Sequence, residues 1–141
     1  MIFVYGAVKY AAYSLWCWAG LRAFRPDLPA PAPRALALGA LRLAMGLGFG
    51  IVIWLLGTLA ARPLRSEAAV YLAVYVPVRW IEWAIIDALF GAQPSGVGPF
   101  LLGRDGLSRG WRLRGILLSC LADLPMIVSL GGHLPLGRFM C

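Results

Sequence analysis

The sequence predicts an all-α, polytopic transmembrane bundle of four helices, at about residues 2–21, 35–61, 68–90 and 113–130. Three observations carry that prediction. Of 141 residues, 61% are hydrophobic and only 13% are charged, against roughly a quarter charged in soluble domains. A folded chain of this size has too much surface for so few polar groups unless lipid solvates part of it. The apolar residues also fall into four runs, each near the roughly 20 residues of helix that cross a ~30 Å hydrocarbon core. Finally, six Trp and five Tyr suit a chain whose amphipathic rings collect at headgroup level. Residues 1–141 are read as a single integral membrane domain.

The first run has no basic residue before Lys9, and Trp16 and Trp18 stand where a cleavage site would fall. It therefore reads as a retained helix rather than a signal peptide. Pro26, Pro29, Pro31 and Pro33 alternate through the first connection, which suits a short extended link. The second run carries Gly39, Gly46, Gly50 and Gly57 along one face. Missing side chains there let another helix approach closely. Pro63 sits in a tight link before the third run, and Pro77 inside that run is expected to kink it. Residues 91–111 read as a long Gly- and Pro-containing cytoplasmic loop, with Phe100-Leu101-Leu102 as an apolar island. The fourth run is only just long enough to cross and contains Pro125.

Charge sets the expected orientation. The first and third connections with their flanks hold Arg22, Arg25, Arg34, Arg104, Arg109, Arg112 and Arg114. The other side holds Arg62, Arg65 and Arg138. The positive-inside rule then puts the two long connections in the cytoplasm and both termini outside, in a plasma or inner membrane. Arg104, Arg109, Arg112 and Arg114 are expected to meet anionic lipid headgroups. The net charge of +7 is assigned to such loops and not to nucleic acid, because the Arg residues sit between apolar runs.

Ionisable groups inside apolar runs are the informative residues, since each is costly in hydrocarbon and must face protein, water or a partner. Arg79 and Glu82 are three apart and share a helical face, which Tyr71 and Tyr75 continue. Asp123 lies mid-run, where a carboxyl must be protonated or paired. Arg79, Glu82, Asp123 and Tyr75 form the expected buried polar centre, with Arg79 and Arg42 as cations for Asp123. Lys9, Arg42, Asp87 and Ser119 are secondary candidates. Snorkelling is the plain expectation for Lys9 and Arg42, and headgroup contact for Asp87.

Enzyme chemistry has little to build on. His133 is the only histidine, and Cys17, Cys120 and Cys141 show no CxxC spacing, so no metal site and no cofactor is expected. No nucleophile elbow or phosphate loop is present. The expected function is a non-enzymatic bundle subunit or small transport-type protein. It is expected to work as a homo-oligomer or within a larger membrane complex, because a chain this short seldom encloses a pathway alone. The alternative is a membrane enzyme acting on a lipid or isoprenoid through Glu82, Asp87 and Asp123.

Overall fold

The computed structural model describes residues 2–64, 66–90 and 96–129. His133, Arg65, Arg138 and Cys141 lie outside them. The described residues are helical, with no strand among them. Two long helices come first, α1 (Ile2–Phe24) and α2 (Pro31–Leu64). A third rod joins α3 (Glu67–Val70), a π-helical turn (Tyr71–Tyr75) and α4 (Val76–Leu89). The short α5 (Val97–Leu102) precedes α6 (Gly106–Ser129). α1 packs most extensively on α2 and also touches α6, while α4 packs on α2 and α6.

Two stretches are long and apolar enough to cross a membrane: Pro31–Ala60, with mean hydropathy 2.1, and Ala68–Leu89, with 1.4. α1 and α6 are not among them, so length and composition mark two spans where the sequence predicts four. The distribution of side chains points the same way. Leu47, Ile51, Leu55 and Leu59 follow one another at four-residue steps along α2, and all are at least half exposed. Lys9, Arg42, Arg79, Glu82, Asp87, Arg112 and Asp123 are buried. Water would favour the opposite arrangement.

Two apolar clusters hold the rods together. One contains Tyr13, Cys17, Leu21, Leu38, Trp83, Ile86, Phe90, Trp111 and Ile116. The other contains Ile53, Val70, Val74, Tyr75 and Val78. Along both α2 and the third rod, charged residues fall between the two clusters. In the first cluster Trp111 is the hub. It stacks on Trp16 at 6.1 Å and meets Trp83 and Phe90 edge-on at 5.1 and 4.9 Å, geometries that suit the ring quadrupoles.

The approach of α1 to α2 depends on Gly39. A Cβ there would stand 2.9 Å from the backbone N and Cα of Ser14, so the two helices touch main chain to side-chain-free surface. Gly57, on the same stripe, has open space around it and does not serve as a contact. Pro77, expected to kink its run, is accommodated by a local change of helix type. It stands at the second position of α4, immediately after the π turn. A proline ring collides with the carbonyl four residues back, and one extra residue in the turn moves that carbonyl aside.

The connection between the third and fourth runs is corrected. It is not a loop throughout 91–111, because α5 occupies part of it and α6 begins at Gly106, seven residues before the expected start. Asp105 explains the early start: its Oδ1 accepts the Ser108 backbone N–H at 2.7 Å, an N-cap bond. Gly96 and Gly103 bound α5 with φ of 118° and 85°, values that favour glycine.

The first connection closes over the same end of the molecule. Arg25 Nη1 donates to the Phe90 carbonyl at 3.2 Å, and Arg34 Nη2 donates to that of Leu89 at 2.9 Å. These are otherwise orphan acceptors at the end of α4, where a cation also suits the helix dipole. Arg25 further pairs with Asp27 at 3.0 Å. Its hydrogen bonds hold the Asp27 carboxyl below its usual pKa, while partial desolvation opposes them. A depressed carboxylate contributes above its unfolded pKa and loses that contribution as pH falls through the folded value.

Gly39→Ala is expected to destabilise the protein by about 1–3 kcal/mol, the usual cost of overpacking a tight contact. Gly57→Ala should change stability by no more than about 0.5 kcal/mol. Thermal unfolding of both variants in the same detergent checks the contrast, and equal effects would remove Gly39 from the interface.

Candidate functional site

The candidate site grows from the one-turn pair on α4. Arg79 Nη1 donates to Glu82 Oε2 at 3.3 Å, the contact their three-residue spacing allows. The same carboxylate oxygen lies 2.6 Å from Arg42 Nη2 on α2. Arg79 Nη2 stands 3.6 Å from Asp123 Oδ2 on α6. Asp123 Oδ1 in turn meets Lys9 Nζ of α1 at 2.6 Å and accepts the Tyr5 hydroxyl at 2.6 Å. The result is one chain of alternating charge, Arg42–Glu82–Arg79–Asp123–Lys9, with contributions from all four rods. None of its five charged members is more than 3% exposed.

Surroundings reinforce the cations. The Arg42 guanidinium lies 4.9 Å from the Tyr13 ring centroid and 5.1 Å from that of Trp83. Lys9 Nζ lies 4.6 Å from that of Tyr5. Ring faces attract a desolvated cation more strongly than an exposed one. Satisfaction is incomplete, however. Arg42 Nε and Nη1, Glu82 Oε1 and the Tyr13 hydroxyl are buried without hydrogen-bond partners. Three cations against two carboxylates also leave one formal positive charge in excess.

A groove of about 120 Å³ opens beside this chain. Tyr5, Gly6, Lys9 and Tyr13 of α1 and Leu43, Gly46 and Leu47 of α2 line it. Of the five charged residues, Lys9 alone lines this groove.

A second ionic cluster closes the opposite end of α4. Asp87 is fully buried. Its Oδ1 accepts Arg104 Nη2 at 2.8 Å, and its Oδ2 accepts Arg112 Nη2 at 2.7 Å, Arg112 Nε at 2.9 Å and the Ser108 hydroxyl. Arg112 Nη1 continues to the Phe100 carbonyl at 2.6 Å, and the Trp80 indole N–H reaches the Leu101 carbonyl. α5 is thereby strapped over the end of the rods through its main-chain carbonyls, while Leu101 and Leu102 of the apolar island stay exposed.

The structure thus brings Arg79, Glu82 and Asp123 together. Tyr75 is buried and stacks on Tyr71 at 4.4 Å. Ser119 is buried, donates to the Gly115 carbonyl and accepts the Trp83 indole N–H. Lys9 and Arg42 do not snorkel, because each has a carboxylate within the protein. Arg42 pairs with Glu82 rather than with Asp123. Asp87 does not reach outward. Of the four arginines expected at headgroups, Arg112 is turned inward onto Asp87 and Arg104 joins it, while Arg109 and Arg114 remain exposed. Sequence reasoning missed Ser108 and the Tyr5 bond to Asp123. The signal for Ser108 was the Asp105 cap, which sets the face of α6 that Ser108 and Arg112 share. Among the described residues, no group of three or more His, Cys, Asp or Glu stands together as a metal centre would need. Compared with known families, characterised proteins and solved structures, the chain matches none.

Glu82→Leu leaves Arg42 buried without a carboxylate and is expected to cost about 3–5 kcal/mol. The double change Arg42→Met with Glu82→Leu should recover most of that loss, since a buried ion pair is often replaceable by apolar side chains of similar volume. Denaturant unfolding of the single and double variants makes the comparison. A double variant as unstable as Glu82→Leu alone would mean that the pair is not an energetic unit. At the other cluster, Asp87→Ala should release the strap. Hydrogen exchange across residues 97–105 is expected to accelerate at least tenfold, with the centre of α4 unchanged.

Proposed function

We propose that this chain is a non-enzymatic integral membrane protein whose four rods all cross the bilayer. It works as a small transport-type protein or bundle subunit, and its buried ionic centre is the functional element. One observation carries the reading: an alternating chain of five buried charges links four rods whose outer surfaces are apolar. In water that arrangement would be inverted. In lipid it is the arrangement expected, since ionisable groups within membrane helices face the bundle interior and mark ion, proton or substrate paths.

Other features support the placement. α2 has 34 residues, about 51 Å at 1.5 Å per residue, enough to cross the hydrocarbon core with tilt or overhang. The first and third connections meet at one end, through the Arg25 and Arg34 bonds to α4 and the Arg104 contact with the Phe24 ring. In the sequence these two connections and their flanks hold seven arginines against three outside the apolar runs elsewhere, and by the positive-inside rule this end would face the cytoplasm and both termini the outside. There the exposed Arg22, Arg109 and Arg114 would meet anionic headgroups, at about 1 kcal/mol each. A homo-oligomer or a larger complex completes the pathway that four short rods do not enclose.

Two measurements test this. With the native cysteines replaced, single cysteines at Asp27 and Arg109 should label from the cytoplasmic side, and one at Phe3 from the outside. Labelling of Asp27 and Arg109 from opposite sides would break the four-span topology. In proteoliposomes containing a pH dye, Glu82→Gln and Asp123→Asn should insert and assemble as wild type does, yet reduce flux at least tenfold. If both variants instead lose their fold and wild type shows no flux, the centre is structural and the protein a bundle subunit only.

A further inference from the structure

We propose that the groove between α1 and α2 binds the carboxylate of a single-chain fatty acid, with Lys9 as its cation and Tyr13 as its hydroxyl donor. The proposal rests on the membrane placement above and gives the buried centre a ligand class. Four observations converge on it. The groove is built from both helices, with Gly6 and Gly46 leaving room beside Lys9. Lys9 is 97% buried yet lines it. An ammonium has three N–H donors, and Asp123 Oδ1 and the Tyr5 ring face account for two. Tyr13 lines the same groove, and its hydroxyl is buried without a hydrogen-bond partner.

Charge selects the ligand's sign. Lys9, Arg42 and Arg79 outnumber Glu82 and Asp123 by one. A monovalent anion beside Lys9 would bring the buried centre to neutrality, which water or an alcohol cannot do. Lining and depth select its kind. The groove of about 120 Å³ is lined, apart from Lys9, by glycine, leucine and tyrosine, which suits a ligand that is mostly alkyl chain. Lys9 lies seven residues into α1, about 10 Å along the helix, which is deeper than headgroup phosphates. Leu43 and Leu47 offer the adjoining apolar wall, and half-exposed Leu47 leads the chain out toward lipid.

The test uses the full chain in nanodiscs of phosphatidylcholine, with spin-labelled stearic acid as the probe. One immobilised probe per chain is expected above the lipid-only background. Palmitate should displace it at least tenfold more effectively than hexadecanol, which has the same chain length and no charge. Gly6→Leu fills the groove without touching the ionic chain, and its Cβ meets nothing within 4 Å. It should weaken probe binding at least tenfold while thermal unfolding stays unchanged. Lys9→Met should weaken binding as much, at a cost in stability because Asp123 loses a partner, and Tyr13→Phe should weaken binding severalfold. The proposal is overturned if an inserted wild-type chain immobilises no probe, if hexadecanol competes as well as palmitate, or if Gly6→Leu binds normally. Displacement by phosphatidic acid in preference to palmitate would overturn the single-chain carboxylate. A chain that fails to enter nanodiscs at all removes the membrane placement, a failure distinct from insertion without binding.

Discussion

Five charges withdrawn from solvent impose the condition that the rest of this structure obeys. An isolated ion in a low-dielectric interior is so unfavourable that it must be paired or neutralised. Here pairing is achieved by alternation: Arg42, Glu82, Arg79, Asp123 and Lys9 stand in a row, each cation beside a carboxylate. Because consecutive members belong to different rods, apart from the Arg79–Glu82 step, no rod can slide or rotate without separating a pair. The network adds little net energy compared with a well-packed apolar layer. Its effect is register, since the energy of a mispaired arrangement is far higher than that of this one.

The packing on either side follows from that layer. Pairing across rods requires short distances between helix axes, and the glycines supply them. Gly39 brings α1 against α2 at Ser14, Gly20 lies under Phe90 and Trp111, and Gly115 lies under Trp83 and Trp16. The large rings then fill the space beyond the glycines, with Trp111 meeting four aromatic neighbours edge-on or stacked within about 6 Å. Trp83 belongs to both systems, packing in the aromatic cluster while its face meets Arg42 and its N–H meets Ser119. The π turn before Pro77 serves the same end. It rephases the third rod by one residue, so that Tyr75 and Val78 face the second apolar cluster and Arg79 and Glu82 face the charges.

Much of this was legible in the sequence where the rule is local. The helical class, the rod positions to within a few residues, the one-turn pairing of Arg79 with Glu82 and the need of Asp123 for a cation all follow from spacing and hydropathy. What was not legible depends on contacts between rods. Snorkelling is the sound expectation for Lys9 and Arg42 because nothing in α1 or α2 reveals a carboxylate on a neighbouring helix. Asp87, three residues before the end of its apolar run, reads as peripheral. Only the fold returns Arg104 and Arg112 to it. The start of α6 was missed for a different reason: glycines at 103, 106 and 110 argue for loop, and one capping aspartate outweighed them once the strap was formed. α1 and α6 carry charged residues of the ionic clusters, Lys9 in α1 and Arg112 and Asp123 in α6, and neither is among the stretches long and apolar enough to cross a membrane.

The two ionic clusters have the same imbalance and different consequences. Each holds one more cation than carboxylate. At the end cluster, Arg112 passes its spare donor to the Phe100 carbonyl, and Arg25 and Arg34 nearby find the last carbonyls of α4. Main-chain acceptors are free there because helices end there, and the surplus is absorbed. In the centre fewer carbonyls are free, since helix interiors bond theirs to N–H groups one turn on, except where Pro77 and Pro125 withhold one. Arg42 keeps two donor atoms without hydrogen-bond partners, and Tyr13 keeps its hydroxyl. An unsatisfied buried donor is costly, so a fold retains it when something other than stability is served. The end cluster therefore reads as a clasp. The central chain, with its excess charge and Lys9 beside a groove, is where the proposed carboxylate ligand would change the electrostatic balance.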